Sequence, residues 1–441
     1  MTGWTAIADR KDEMTPDWFT EARFGLFVHF GAYSVAARHE WVQNYERLSD
    51  EEYREYVEFF DPDRFDAREL ARSAKAAGAG YVVLTTKHHD GFALWDSKLS
   101  DFTSMRSCGR DLVRETVDAL REEGLRVGLY HSLIDWHHPD FTVDWNHPLR
   151  DDPAGAALNE GRDMARYRAF LHGQVEELLT GYGPIDSLFF DFTYPETKQG
   201  WAGKRAEDWD AERLLARCRE LQPQMLVNDR LGIEGDFVTP EQYQPTSPIL
   251  RDGEPVRWEA CQTTNGSWGY HRDNDDYKSA PLLLRMLVDS VSMDGNMLLN
   301  IGPDGRGAIP PRDREILEGI GEWMALHDRA VVGAGHAGLV PPREGVYTRR
   351  GDRLYLHLFT WPLGFVHLPG LAGRVRHARL LHDGSWLRRS VTDPDQEALL
   401  TQPAGQADGT LTISLPVRRP DVAIPVIELV LDETDGARQA D

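Results

Sequence analysis

The chain has 441 residues, 41% of them hydrophobic and 27% charged, the composition of a folded globular protein long enough for two domains. Its 49 Lys and Arg against 72 Asp and Glu leave a net charge of −23, which repels phosphate backbones and anionic lipid and so disfavours nucleic-acid and membrane partners. Cys108, Cys218 and Cys261 lie far apart with no CxxC pair, which argues against a disulfide framework or a zinc knuckle.

In chain order, Met1 to Met14 is polar without an apolar leader, and no later run has the length of a membrane span; a soluble, cytoplasmic protein is expected. Pro16-Asp17-Trp18-Phe19 starts a short helix, and Phe24 to Gly31 reads as a strand ending in His29. After an insertion carrying His39-Glu40-Trp41, alanine-rich helical spacing from Arg68 to Ala77 stops at Gly78 and Gly80. The β-branched run Tyr81 to Lys87 follows and ends in His88-His89-Asp90-Gly91. A helix over Leu112 to Glu123 leads to Arg126 to Ser132, and a long helix from about Asp163 to Leu179 leads to Ser187-Leu188-Phe189-Phe190-Asp191.

The alternation continues. A helix from about Asp208 to Glu220 precedes Met225 to Arg230, and Arg257 to Cys261 reads as a further strand. The helix Pro281 to Met293 precedes the strand Asn296 to Pro303, and the helix Pro310 to Leu326 follows. Strands alternating with helices imply parallel βαβ units, and this number of them predicts a closed (β/α)8-like TIM barrel over residues 1–335. From Gly345 short alternating segments separated by Gly, Pro and Asp predict a C-terminal antiparallel β-sandwich over residues 345–435, with a frayed polar tail from Asp432.

In a barrel the C-terminal strand ends share one face, where active sites of this architecture sit. Here those ends offer His29, His88, His89, His131, Asp191, Asn228, Asp229, Arg230 and Glu259. An unpaired Asp is costly to bury, so Asp191 at the end of an apolar strand points to a site. The histidines could suit a metal, but none has H-x-H or H-E-x-x-H spacing, and the adjacent His88 and His89 would face opposite ways on a strand. No metal or cofactor is expected. Trp41, Phe92, Trp95, Trp136, Tyr194, Trp258, Trp268 and Tyr270 fall in loops or strand ends, and aromatic faces beside polar side chains suit a sugar, which has apolar CH faces and a rim of hydroxyls. Glycoside hydrolysis requires two carboxylates. Asp191 suits one role, and Glu241 or Glu259 the other.

The motifs Phe24 to Gly31, Glu40-Trp41, Lys87 to Phe92, Asp191, Asn228-Asp229-Arg230, Trp258-Glu259, Trp268-Gly269-Tyr270 and Gly295 to Pro303 occur in an order that resembles glycoside hydrolase family 29, the retaining α-L-fucosidases, over about Trp18 to Ala330. The resemblance implies a catalytic barrel followed by a β-sandwich and a metal-free double displacement on fucosylated oligosaccharides or glycoconjugates. It implies Asp191 as nucleophile, and His29, Glu40, Trp41, His88 and His89 as ligands of the fucose hydroxyls. Arg230 would stand beside the nucleophile and Trp268 near the 6-methyl group. The acid/base in this family often lies in the loop after Asn-Asp-Arg, which points to Glu241, with Glu259 as runner-up.

Two positions depart from the family pattern. Phe192 stands where a glycine often follows the nucleophile, at the mouth through which an aglycone would enter. His131 stands where a tyrosine is often found and would contact the hydroxyls differently, leaving an α-L-galactoside or another related L-sugar as an alternative substrate. A catalytically inactive fucose-binding homologue is the alternative from outside the enzymes. A homo-oligomer is compatible with the chain, though one sequence shows no interface. The reaction requires an ionised nucleophile and a protonated acid.

Overall fold

The computed structural model describes residues 18–399 and 402–432. Met1 to Met14 and the tail after Asp432 lie outside them. Seven parallel strands form the first sheet: β1 (Phe24–Val28), β2 (Tyr81–Lys87), β3 (Arg126–Ser132), β4 (Ser187–Asp191), β5 (Leu226–Val227), β6 (Glu259–Thr263) and β7 (Asn296–Ile301). Their spatial order is β5-β4-β3-β2-β1-β7-β6. Consecutive β1 to β5 are neighbours, as right-handed βα units demand, and β7 folds back beside β1.

The two outer strands, β5 and β6, are joined by an irregular segment rather than a regular strand. Phe237 bridges Asn228, Val238 bridges Trp258, and Glu241 bridges Cys261, all parallel. Backbone hydrogen bonds Val238 N–H to Arg257 O and Cys261 N–H to Pro240 O, both 2.9 Å, carry the closure. Residues 237–241 therefore supply the eighth stave of the barrel, and Glu241 stands at its C-terminal end.

Helices follow the strands where the sequence places caps. The Asp66 side chain accepts from the N–H groups of Arg68 and Glu69 and starts Ala67–Ala76; Asp111 starts Leu112–Glu122; Asp163 starts Met164–Gly181; Ser279 starts Ala280–Ser292. Each satisfies a donor that the first helical turn leaves open. The helices bury Leu112, Val117, Leu171, Val175, Leu287 and Val288 against the outward side chains of the strands, Leu26, Val82, Leu129 and Leu188. The inward side chains, Phe27, Tyr81, Val83, Tyr130, Phe189, Cys261 and Leu298, fill the barrel as a separate core. Parallel strands are thus apolar on both faces.

After the helix Pro311–His327, strands β8 (Gly345–Arg350), β9 (Arg353–Leu358), β10 (Phe365–Leu368), β11 (Val375–Leu380), β12 (Arg389–Val391), β13 (Leu411–Ser414) and β14 (Val426–Leu431) form two antiparallel sheets, ordered β8-β9-β14-β11 and β10-β13-β12. Leu354, Leu356, Val366, Leu380, Ile413 and Leu429 pack between them. The outer face of the larger sheet rests on the last barrel helix. Trp323 Nε1 donates to Ile424 O at 2.8 Å, and Thr348 Oγ1 donates to Ala330 O at 2.7 Å.

Candidate active site

Strand phase decides what reaches the barrel's mouth. In β4, Ser187, Phe189 and Asp191 share one side, and Phe189 belongs to the inner core, so Asp191 points into the barrel. Its Oδ2 accepts from the Tyr130 hydroxyl at 3.0 Å and its Oδ1 from Arg230 Nη1 at 2.9 Å. The same Nη1 lies 2.8 Å from Glu241 Oε2. One guanidinium nitrogen thus stands between two carboxylates, and their facing oxygens lie within the sum of those two distances of each other. That is short of the about 6.5 Å at which carboxyl pairs of inverting glycosidases begin. Arg230 itself is oriented by Nε donating to Thr239 Oγ1 at 2.8 Å.

A narrow pocket opens over this group, lined by Phe27, His29, Trp41, His88, His89, Tyr130, Phe189, Asp191, Phe192, Arg230, Glu241, Cys261 and Trp268. Its histidines are neutral. Burial drives His29 and His89 down to about 3 and His88 well below its ordinary value. Their hydrogen-bond partners also set their tautomers. Asn300 Nδ2 donates to Trp268 O at 2.7 Å, so its Oδ1, 2.6 Å from His29 Nδ1, accepts from that nitrogen. Ser132 Oγ donates to Ile134 O and is therefore the acceptor for His89 Nδ1, 2.7 Å away. Each ring keeps its Nε2 as an acceptor, and His89 Nε2 lies 4.0 Å from Asp191 Oδ2.

His88 and His89 do not face opposite ways, because β2 ends at Lys87. A turn closed by Gly91 N–H to His88 O at 3.1 Å, with Gly91 at φ 82°, brings both rings to one pocket with centroids 4.1 Å apart. Any Cβ at Gly91 would stand 2.3 Å from Asp135 Oδ1, so the turn requires glycine there. Beneath it the buried Lys87 Nζ bonds Asp135 at 3.1 Å and Gln174 at 2.9 Å, a charge taken out of water and matched in place.

Two expected site residues, His131 and Glu259, lie away from the pocket. His131 faces the helices, not the pocket: it is fully buried, with Nδ1 3.0 Å from Thr86 Oγ1 and its ring against Trp95. Tyr130, one residue earlier, is the side chain in phase with Phe189. The tyrosine sought at 131 therefore stands at 130, and sequence reasoning missed it because both faces of β3 are buried. Glu259 opens β6 rather than ending it, so it lies at the barrel's opposite end, accepting from the Tyr81 hydroxyl close to Asn296. Burial lifts it to about 7. Glu40 is buried beside the turn that carries Trp268, accepting from Gly269 N–H at 2.7 Å, and its carboxyl is raised to about 7 by burial, with Glu241 close enough to push it the same way.

The aromatic set divides in the same way. Trp41 and Trp268 line the pocket, and Tyr194 borders a neighbouring cavity, whereas Phe92, Trp95, Trp136 and Trp258 are core residues about 1% exposed. Trp41 closes one side, its ring 5.0 Å from His89 and 5.1 Å from Phe192. Trp268 closes the other, 5.3 Å from His29.

Aromatic walls, neutral imidazole acceptors and two close carboxyl groups at the mouth of a (β/α)8-like barrel define the class, a glycoside hydrolase of the retaining geometry. The sequence profile described as Alpha-L-fucosidase matches residues 4–329. The human tissue alpha-L-fucosidase is 31% identical over 435 residues, covering 91% of this chain and 87% of that one. Among solved structures, alpha-L-fucosidase isoenzyme 1 from Paenibacillus thiaminolyticus superposes with a TM-score of 0.87 at 42% identity, over 94% of this chain and 98% of that one. A family 29 alpha-L-fucosidase from Bacteroides thetaiotaomicron, solved as a trapped covalent intermediate with 2-fluoro-fucosyl fluoride, gives 0.80 at 27% identity over 95% and 97%. The chain belongs to the α-L-fucosidase family.

Proposed function

We propose that the protein is an exo-acting, retaining α-L-fucosidase that hydrolyses terminal α-L-fucosyl linkages of oligosaccharides or glycoconjugates by double displacement. The observation that carries this reading is the pair Asp191 and Glu241 on one guanidinium, inside an aromatic-walled pocket, in a chain of this family.

Asp191 is the nucleophile in this reading. Its carboxylate attacks the anomeric carbon as the glycosidic C–O bond breaks, and the leaving oxygen takes the proton of Glu241. Water then gives a proton to Glu241 while its oxygen attacks the same carbon, and the Asp191 carboxylate departs. Two displacements retain the anomeric configuration. Glu241, with 42% of its side chain exposed, has room to move. Asp191, only 13% exposed and held by donors on both oxygens, does not. A fixed nucleophile and a mobile acid suit the two roles.

His29 and His89 accept sugar hydroxyls at Nε2, with His88 and Trp41 completing that side of the ring, while the face of Trp268 takes the 6-methyl group. The α-L-galactoside alternative rested on His131, which faces away from the pocket. The test is hydrolysis of 4-nitrophenyl α-L-fucoside followed by proton NMR. Early appearance of α-L-fucose supports the proposal, and early β-L-fucose or no turnover overturns it.

A further inference from the structure

A chain of net charge −23 nevertheless gathers arginines at the seam between its two domains. A cavity of about 520 Å³ opens where the outer face of the larger C-terminal sheet meets the turn Asp328–Ala330 after the last barrel helix. Its walls carry four guanidiniums, those of Arg329, Arg350, Arg353 and Arg379, against two carboxylates, Asp328 and Glu428. Register explains the gathering. Leu354 and Leu429 point into the sandwich core, so their strand neighbours Arg353, Tyr355 and Glu428 point outward. Arg350 pairs with Arg353, and Glu428 with both Tyr355 and Arg379; partners directly opposite share a face. The row continues at the sheet's edge with Trp386, bridged to Arg379, 79% exposed, its ring centroid 4.1 Å from that of His377.

The arrangement is unfavourable for the protein alone. Like charges directly opposite one another in an antiparallel pair destabilise it, and Arg350 and Arg353 are such a pair. Arg379 Nε donates to the buried Glu428, and Arg353 Nε lies 3.2 Å from Asp352. Among the described residues, however, no carboxylate stands within ion-pairing distance of Arg329 or Arg350. Arg350 runs across Gly333, where a Cβ would stand 3.1 Å from its Nε, which sets the course of the side chain along the seam. At the floor, Tyr355 is 2% exposed, yet its hydroxyl has no hydrogen-bond partner among the described residues; the charges it faces are Glu428, Arg329, Arg353 and Arg350. A buried hydroxyl left open beneath guanidiniums is completed by an oxyanion. The space exceeds a bare ion and falls in the range of small-molecule sites. The exposed indole beside Arg379 offers a flat apolar face on which a sugar ring can stack.

We propose that this cavity binds an anionic sugar, its sulfate, phosphate or carboxylate group held by Arg329, Arg350 and the Tyr355 hydroxyl and its ring extending towards Trp386. The site is separate from the catalytic pocket and stands whether or not the fucosidase reading does. The test is calorimetric titration of the full chain with galactose 6-sulfate, galactose 6-phosphate and galacturonate, beside neutral galactose, inorganic sulfate and inorganic phosphate. At least one anionic sugar should bind with a Kd of about 1 mM or tighter, and about tenfold or more tighter than galactose and the inorganic anions; the tightest of the three identifies the charged group. Arg329→Ala and Arg350→Ala, both at exposed positions, should each weaken that binding by about tenfold, while Tm stays at or above the wild-type value because a like charge has been removed. Trp386→Ala should weaken the anionic sugar and leave the inorganic anions unmoved. Three results overturn the proposal: no anionic sugar binds, none binds more tightly than galactose and the inorganic anions, or binding is unmoved in both arginine variants.

Discussion

The Tyr130 hydroxyl donates to Asp191 Oδ2 at 3.0 Å from the neighbouring strand, although the residue in register with Asp191 is Ser132. The phenol is long enough to reach two residues along its strand, and with Arg230 it places a donor on each oxygen of the carboxylate. Tyr130→Phe should therefore lower kcat/KM for an aryl fucoside by about 10- to 100-fold. His131→Gln, altering a buried side chain that faces the helices, should lower Tm while moving kcat/KM far less. Steady-state kinetics beside thermal melts of both variants check the assignment, and the reverse order of effects would refute it.

Asp191→Ala removes the group to which the fucosyl unit would be transferred. Its kcat should fall by about a thousandfold or more with the fold intact. Retention of turnover within tenfold of wild type would exclude Asp191 as the nucleophile.

For Glu241→Ala the expected signature is selective. An aryl leaving group that departs without protonation should be affected mainly in the second displacement, and a disaccharide should lose far more. Azide needs no general base and should restore aryl fucoside turnover, giving a fucosyl azide of the substrate's own anomeric configuration. If Glu241→Ala is indifferent to the leaving group and azide adds nothing, Glu241 is not the acid/base.

Glu259 offers a pH test at the other end of the barrel. Burial raises it from an ordinary value of 4.5 to about 7, so between those values the folded state holds a proton that the unfolded state has released. Stability from this group is therefore lost as pH rises through that window and stays lost above it. Glu259→Gln keeps an acceptor for the Tyr81 hydroxyl without the buried charge. Relative to wild type, the variant should gain stability from pH 5 to 8, by on the order of 2–3 kcal/mol. Denaturant melts at both pH values measure it, and a difference that does not change with pH would contradict the buried-acid picture. Aryl fucoside hydrolysis by this variant should persist, since Glu259 lies outside the pocket.

Much of this architecture is legible in the chain itself. Helical spacing between short apolar runs, with Asp66, Asp111, Asp163 and Ser279 as caps, sets the βα order locally, because periodicity and capping act within a few residues. The change to short alternating segments after Gly345 announces antiparallel sheets for the same reason. Asp191 also stands out locally, as a carboxylate at the end of Leu188-Phe189-Phe190.

Tertiary structure decided the rest. Strands buried on both faces carry no mark of which side looks inward, so only the closed barrel distinguishes Tyr130 from His131. The sequence places Glu259 beside a tryptophan, but the pairing of β6 with β7 sets the end of the barrel at which it lies. Residues 237–241 have no strand pattern of their own. They become the eighth stave through contacts with β5 and β6, and that closure brings Glu241 to the same nitrogen of Arg230 as Asp191. Local sequence determined which elements form and in what order; the meeting of side chains fifty residues apart followed only when the sheet closed on itself.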